Sequence, residues 1–230
     1  MFFLIWVSAY VIVDHPLLLP SPIQVLKAIG AILTNTSELS VIGVSLFRLF
    51  LSIILSSLLG ISLGIFSGLN KQIELVVKPH VTFLKTIPIL SIIVILLILF
   101  GFTYAPYIIT FLMLFPLFYQ AANQGVKSID QELIDVYHLE KHNLYLGIKY
   151  LYLPLVKPYL YLAFFQSFGL GLKVLVMAEY LSQTRNSMGN ALYLAKVNLA
   201  YDHVFAWSFI LIIITLLVEY RVQKYQYEEN

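Results

Sequence analysis

The sequence predicts an all-α, polytopic membrane protein with about six transmembrane helices. Three observations carry that expectation. Of 230 residues, 60% are hydrophobic and only 11% charged, and the mean hydropathy is +0.87, whereas a soluble domain carries roughly 25% charge. The stretch 86–126 contains no Lys, Arg, Asp or Glu, which reads as two spans joined by a short turn. Finally, the Lys and Arg residues gather at the ends of the apolar segments instead of forming a patch.

The expected spans are residues 1–13, 41–69, 80–100, 104–125, 158–181 and 204–220, set against the roughly 20 apolar residues that cross a bilayer. The first is short, because a helix of that length reaches only about 20 Å. It must be extended, tilted, matched by a locally thin bilayer, or truncated by a misplaced start. It lacks the basic n-region and small-residue cleavage site of a signal peptide and reads as a retained span. One domain, 1–230, is expected, interrupted by a polar loop at about 127–154.

Basic residues orient the chain. With the 127–154 loop in the cytoplasm, Lys71, Lys78, Lys127, Lys141, Lys149, Lys157, Arg221 and Lys224 lie inside, and Lys27, Arg185 and Lys196 outside. Both termini then face the cytoplasm of a cell that carries the chain in its inner membrane. A net charge of +2 without a basic patch excludes nucleic acid as a partner. The absence of cysteine removes thiolate chemistry. The five histidines are scattered, with His138 and His142 alone at i, i+4 spacing, and read as interfacial polar residues and not as a metal site.

In the second span Ser52, Ser56, Gly60, Gly64 and Gly68 recur every fourth residue, forming a smooth stripe that another helix can approach closely. The stripe fits either a dimer seam or packing within the chain. In the polar loop, Ser128 and Gln131 have capping-box spacing, and Asp130 and Glu132 fall in the first turn. Ile129, Leu133, Val136 and Tyr137 keep helical spacing, opposite Asp135 and Glu140. A short helix with an apolar and an acidic face is expected, resting on a protein and not on lipid headgroups, which favour Lys and Arg on the polar face.

The segment from Asp135 to Pro154 resembles the cytoplasmic loop of ABC importer permeases, which runs E-A-A, three residues, G, nine residues, I-x-L-P. Asp135 stands at the Glu, Val136 and Tyr137 at the Ala pair, and Leu151, Leu153 and Pro154 at the end. Lys141 occupies the Gly position, without the positive-φ freedom that makes a tight turn there. Other motifs resemble the nitrate, sulfonate, taurine and bicarbonate branch, in order along the chain. They are Leu19-Pro20-Ser21-Pro22, Ser45 with Arg48, Lys85-Thr86-Ile87-Pro88, Phe100-Gly101, Phe115-Pro116-Leu117 with Gly125, Ala178-Glu179 and Met188-Gly189.

The resemblance implies a type I importer permease fold. It further implies a dimer, homomeric or with a paralogue, bound to two cytosolic ATPase subunits and served by an extracytoplasmic solute-binding protein. The loop would be the coupling helix, contacting the ATPase through Asp130, Leu133, Asp135, Val136, Tyr137, Glu140 and Lys141. The chain has no glycine-rich phosphate loop of its own. ATP and magnesium are accordingly expected in the partner subunits, with no cofactor here and no enzymatic activity in this chain.

Charges within the spans are kept only with a partner or a purpose, since one at mid-bilayer costs at least about 2.5–3.5 kcal/mol on insertion scales. Arg48, Lys85, Lys173 and Glu179 are the candidates for a translocation path. Arg48 is expected to snorkel to the outer interface. Lys85 precedes the helix break at Pro88. Lys173 and Glu179 are too far apart around a helix to pair. Lys173 fits a salt bridge to another helix or a contact for an anionic solute. A secondary transporter built around Lys173 and Glu179 is the rival function. An intramembrane enzyme would need a nucleophile and base at membrane depth, and Ser167 with the histidines makes no such constellation.

Overall fold

The computed structural model describes residues 2–13, 19–139 and 144–228. Helices α1 (Phe2–Val13), α2 (Pro22–Thr34), α3 (Thr36–Leu69), α4 (Lys71–Thr86) and α5 (Ile89–Lys127) lead to the polar loop. There α6 (Gln131–Leu139) and α7 (Leu144–Gly147) precede a π-helical turn (Ile148–Tyr152). The chain then continues into α8 (Leu153–Ser182), α9 (Met188–Val197) and α10 (Tyr201–Glu228). Among the described residues four stretches are long and apolar enough to cross a membrane, in α3, in α5, from Ile148 to Ser182, and from Tyr201 to Val218.

Side-chain caps set the corners. Leu19-Pro20-Ser21-Pro22 opens α2 through a capping box. The Gln24 amide donates to Ser21 Oγ at 3.2 Å, and the Ser21 amide donates to Gln24 Oε1 at 2.8 Å. Pro22 follows where its missing N–H costs nothing. Asn35 and Asn70 each break the chain in extended conformation. Their side chains accept from the Ser37 and Gln72 amides, so one residue both ends a helix and starts the next.

The two spans expected at 80–100 and 104–125 are distributed differently. The 80–100 segment is broken at Ile87 and Pro88, which are extended, because the residue before a proline is pushed out of the helical region. Its polar first part belongs to α4, an amphipathic helix with Lys71, Glu74, Lys78 and Lys85. Gly101, at φ 71°, then interrupts α5, a backbone conformation that glycine tolerates and L side chains rarely adopt. The limbs 89–100 and 102–127 fold back on each other. Ile93 and Leu96 share a core with Ala105 and Ile109, and Lys85 Nζ donates to Gln120 Oε1 at 2.9 Å. The Phe100-Gly101 pair is thus the short turn between two spans, carried by one kinked element.

The serine and glycine stripe faces α5. Ser52 Oγ donates to the Tyr107 carbonyl at 3.4 Å, and Ser56 Oγ to that of Phe111 at 3.0 Å. A Cβ on Gly60 would lie 2.7 Å from Phe118 Cβ, on Gly64 2.5 Å from the Tyr119 carbonyl, and on Gly68 2.6 Å from Val126 Cβ. Each four-residue step on α3 meets a four-residue step on α5, so these helices run parallel and almost backbone to backbone. In lipid, where apolar side chains gain nothing by leaving one oily phase for another, such close approach supplies the packing energy. The partner of the stripe is α5 of the same chain, and the dimer-seam alternative loses its surface.

Before α8 the helix widens to π geometry, with the Leu153 amide bonded to the Ile148 carbonyl. Pro154 explains it, since proline brings no N–H to the regular ladder and its ring presses on the carbonyl four residues back. At the other end of the bundle Trp6 of α1 stacks on Phe205 and Phe209 of α10 at 5.9 and 5.4 Å. Its indole N–H donates to the Pro20 carbonyl at 3.2 Å.

Candidate functional site

Two polar regions stand out, one beside the kink within α5 and one at the C-terminal end of α5. The first lies beside the Gly101 turn. Glu179, fully buried on α8, receives Arg48 Nη1 at 2.9 Å and the Ser45 hydroxyl at 2.9 Å from each carboxylate oxygen. The Gly189 amide donates to its Oε2 at 3.3 Å, and the Met188 amide donates to Ser45 Oγ at 2.9 Å. Arg48 also reaches the carbonyls of Arg185 and Asn186 at 3.3 Å and lies 5.8 Å above the Tyr107 ring. Gly189 is required here, because a Cβ would meet the Tyr180 backbone nitrogen at 2.4 Å. Thr184 Oγ1 ties the same loop to the turn by donating to the Phe102 carbonyl at 2.7 Å.

This cluster corrects two expectations. Arg48 does not snorkel. It is 7% exposed and spends its guanidinium on Glu179 and two carbonyls. Nor do Lys173 and Glu179 form one ion-coupled site. Glu179 is occupied by Arg48, while Lys173 is exposed and lines a groove of about 590 Å³ between α8, α9 and α10, with Val176, Tyr180, Ile212 and Thr215. Among the described residues Lys173 has no ion-pair partner. Lys85, also exposed, is held by Gln120.

The second region is the loop after α5. The helix starts at Gln131, with the Asp130 carbonyl accepting the Leu133 and Ile134 amides at 3.1 and 3.3 Å. Ser128 is not its cap. Its hydroxyl donates back to the Gly125 carbonyl at 2.9 Å and finishes α5. The inward face also differs from the expected one. Ile129 and Ile134 pack on the core formed by Val126, Tyr152 and Val156, and Tyr137 lies against Gly147. Leu133 and Val136 are instead 44% and 60% exposed, beside Glu132 and Asp135. Gln131 Nε2 donates to Asp135 Oδ1 at 2.9 Å. Glu140, Lys141, His142 and the expected turn lie outside the described residues.

Several contacts have no signal in the sequence. Lys127 donates to Glu74, joining the ends of α4 and α5. That hydrogen bond, reinforced by the charges of Lys127, Lys78 and Lys71, holds the Glu74 carboxyl below its ordinary pKa. Gly171 admits Leu49 and Leu114, and Gly125 admits Val156. No glycine spacing distinguishes these two.

The model of one family, described as binding-protein-dependent transport system inner membrane component, matches residues 56–222. A putative aliphatic sulfonates transport permease protein of Bacillus subtilis is 25% identical over 168 residues, covering 72% of this chain and 60% of that protein. A probable ABC transporter permease protein of Brucella melitensis is 31% identical over 118 residues, covering 51% of this chain and 48% of its own. One from Brucella abortus shows 31% over 118 residues and 47% of its length. The chain therefore spans between about half and 60% of the length of these relatives.

Proposed function

The chain belongs to the family of binding-protein-dependent transport system inner membrane components, and on that premise we propose that it forms the solute path of an ATP-driven importer and takes its power stroke through α6. The observation that carries the proposal is the outward face of α6. A nine-residue helix outside the apolar bundle exposes Leu133 and Val136 between acidic side chains. Apolar side chains left in water beside Glu132 and Asp135 suit a groove in another protein better than a bilayer surface. Two ATPase subunits, holding ATP and magnesium, would each grip one α6 of a permease pair. Their closure would rock the spans between inward-open and outward-open states, with a solute-binding protein serving the opposite side.

Small anions such as sulfonates are the proposed solute class. A relative is named for them, and Lys173 offers an exposed cation in a mostly apolar groove between α8, α9 and α10. The excess of Lys and Arg in and beside the 127–154 loop supports a cytoplasmic position for the loop and for both termini.

The test is affinity purification of the tagged chain from native membranes, comparing wild type with the double variant Leu133→Asp, Asp135→Arg. An ABC-type ATPase is expected with wild type and absent with the variant, while both elute as the same folded species. Equal recovery of the ATPase with both, or solute uptake into liposomes by the purified chain alone, would contradict the proposal.

A further inference from the structure

Where α3 hands over to α4, a second surface remains that the coupling reading does not use. Asn70 ends α3, and α4 sets off from there alongside α5, tied to its end by Glu74 and Lys127. An open cavity of about 750 Å³ lies over this corner, lined by Lys71, Lys78, Leu75 and Phe83 of α4 and by Lys127 of α5. Three ammonium groups stand around one carboxylate. Glu74 accepts from Lys127 and lies 3.8 Å from Lys78, so two positive charges are left uncompensated. Next to them Leu75 and Phe83 are 67% and 64% exposed.

We infer that this corner binds the headgroup of an anionic phospholipid, its phosphate among Lys71, Lys78 and Lys127 and its acyl chains along Leu75 and Phe83. The inference rests on the membrane-spanning reading alone and is independent of any ATPase. Four considerations select lipid. The apolar stretches of α3 and α5 run up to the ends of these helices at Leu69 and Lys127, so Lys71 and Lys127 sit at the level where the spans meet headgroups. Lysine stems lie along apolar surface while their ammonium groups reach the phosphates. Phe83 lies just over three helical turns beyond Lys71 and is exposed, an apolar surface that a soluble anion would leave unaccompanied. A second copy meeting this corner about a two-fold axis would bring the same lysines against these, a like-charge contact.

Because the chain has no cysteine, a single Phe83→Cys can carry a fluorophore at the acyl side of the site. The labelled chain, in nanodiscs of phosphatidylcholine with a minor fraction of brominated phosphatidylglycerol or brominated phosphatidylcholine, reports which lipid is adjacent. The expected result is quenching that corresponds to a preference for phosphatidylglycerol on the order of tenfold. Lys71→Gln with Lys78→Gln should bring it near unity, and Lys71→Arg with Lys78→Arg should retain it. Circular dichroism and elution volume establish that the variants fold, and the comparison in otherwise unaltered chain decides alone if the Gln pair does not. Equal quenching by the two lipids would overturn the inference. So would relief of the preference by inorganic phosphate, which would make the ligand a soluble anion. Protection from both lipids that ends on dissociation of the complex would also overturn it, because a protein would then cover the face.

Discussion

The Arg48 corner and the α6 loop are both polar departures from an apolar bundle, yet they are built in opposite ways. Around Glu179 each carboxylate oxygen is satisfied, and Ser45, Arg48 and Glu179 are buried. Three helices and the loop 183–187 converge on one carboxylate. At α6 the inward side is held by Ile134 and by Ile129 just ahead of the helix, while the outward side leaves Leu133 and Val136 uncovered. A buried ion pair in which both carboxylate oxygens and both terminal guanidinium nitrogens are hydrogen-bonded ties elements to one another, because breaking it strands a charge. An exposed apolar pair beside acids contributes little to its own fold and is available to another molecule. The difference separates what holds the spans together from a surface left open to a partner.

The largest effect is expected at the buried corner. Arg48→Ala, or Glu179→Ala, should lower stability by about 3–5 kcal/mol, because each leaves an uncompensated buried charge. Arg48→Met combined with Glu179→Leu should recover much of that loss. Thermal unfolding of the purified chain in detergent measures both. A double variant no better than the single ones would mean that the hydrogen bonds, and not the charge, carry the corner. Gly189→Ala comes next, at about 1–3 kcal/mol, since the added methyl meets backbone atoms that cannot swing aside.

The smallest effect belongs to Glu74 and Lys127 at the α6 end. Lys127 is 44% exposed, so Glu74→Gln should cost only a few tenths of a kcal/mol. The Glu74 pKa is depressed in the folded chain. Its contribution is therefore complete above the ordinary carboxylate pKa and fades as pH falls through the lowered value. Wild type and Glu74→Gln should converge in thermal midpoint under acid and separate slightly at neutral pH.

The long apolar helices were legible because hydrophobic runs act locally, whereas α2, α9 and the capping box at Ser21 were not read from the sequence, where Leu19-Pro20-Ser21-Pro22 stood only as a motif of the resemblance. The sequence also contained every member of the Arg48 corner. Ser45 with Arg48, Ala178-Glu179 and Met188-Gly189 were scattered motifs of one resemblance, and they meet in space. What could not be read was their mutual pairing. A span charge seen alone is indistinguishable from one that snorkels, and only the crossing of α3 and α8 decides between them. The α6 face was misassigned for a related reason. Ile134 and Val136 are equally apolar, and which turns inward depends on where α5 ends, a matter settled by Ser128 bonding backward to Gly125. The fold at Gly101 was legible as a turn, whereas the tie from Thr184 to Phe102 was not, since it spans distant sequence.

The central claim, that the outward face of α6 is where force enters, is tested most directly by a single Val136→Cys in this cysteine-free chain. Reaction with a maleimide would be compared in membranes that contain the cognate ATPase and in membranes that lack it. The account predicts rapid labelling without the ATPase and strong protection with it, relieved when nucleotide or detergent releases the subunit. Equal labelling in both membranes would contradict the account and return α6 to being a surface helix with no partner.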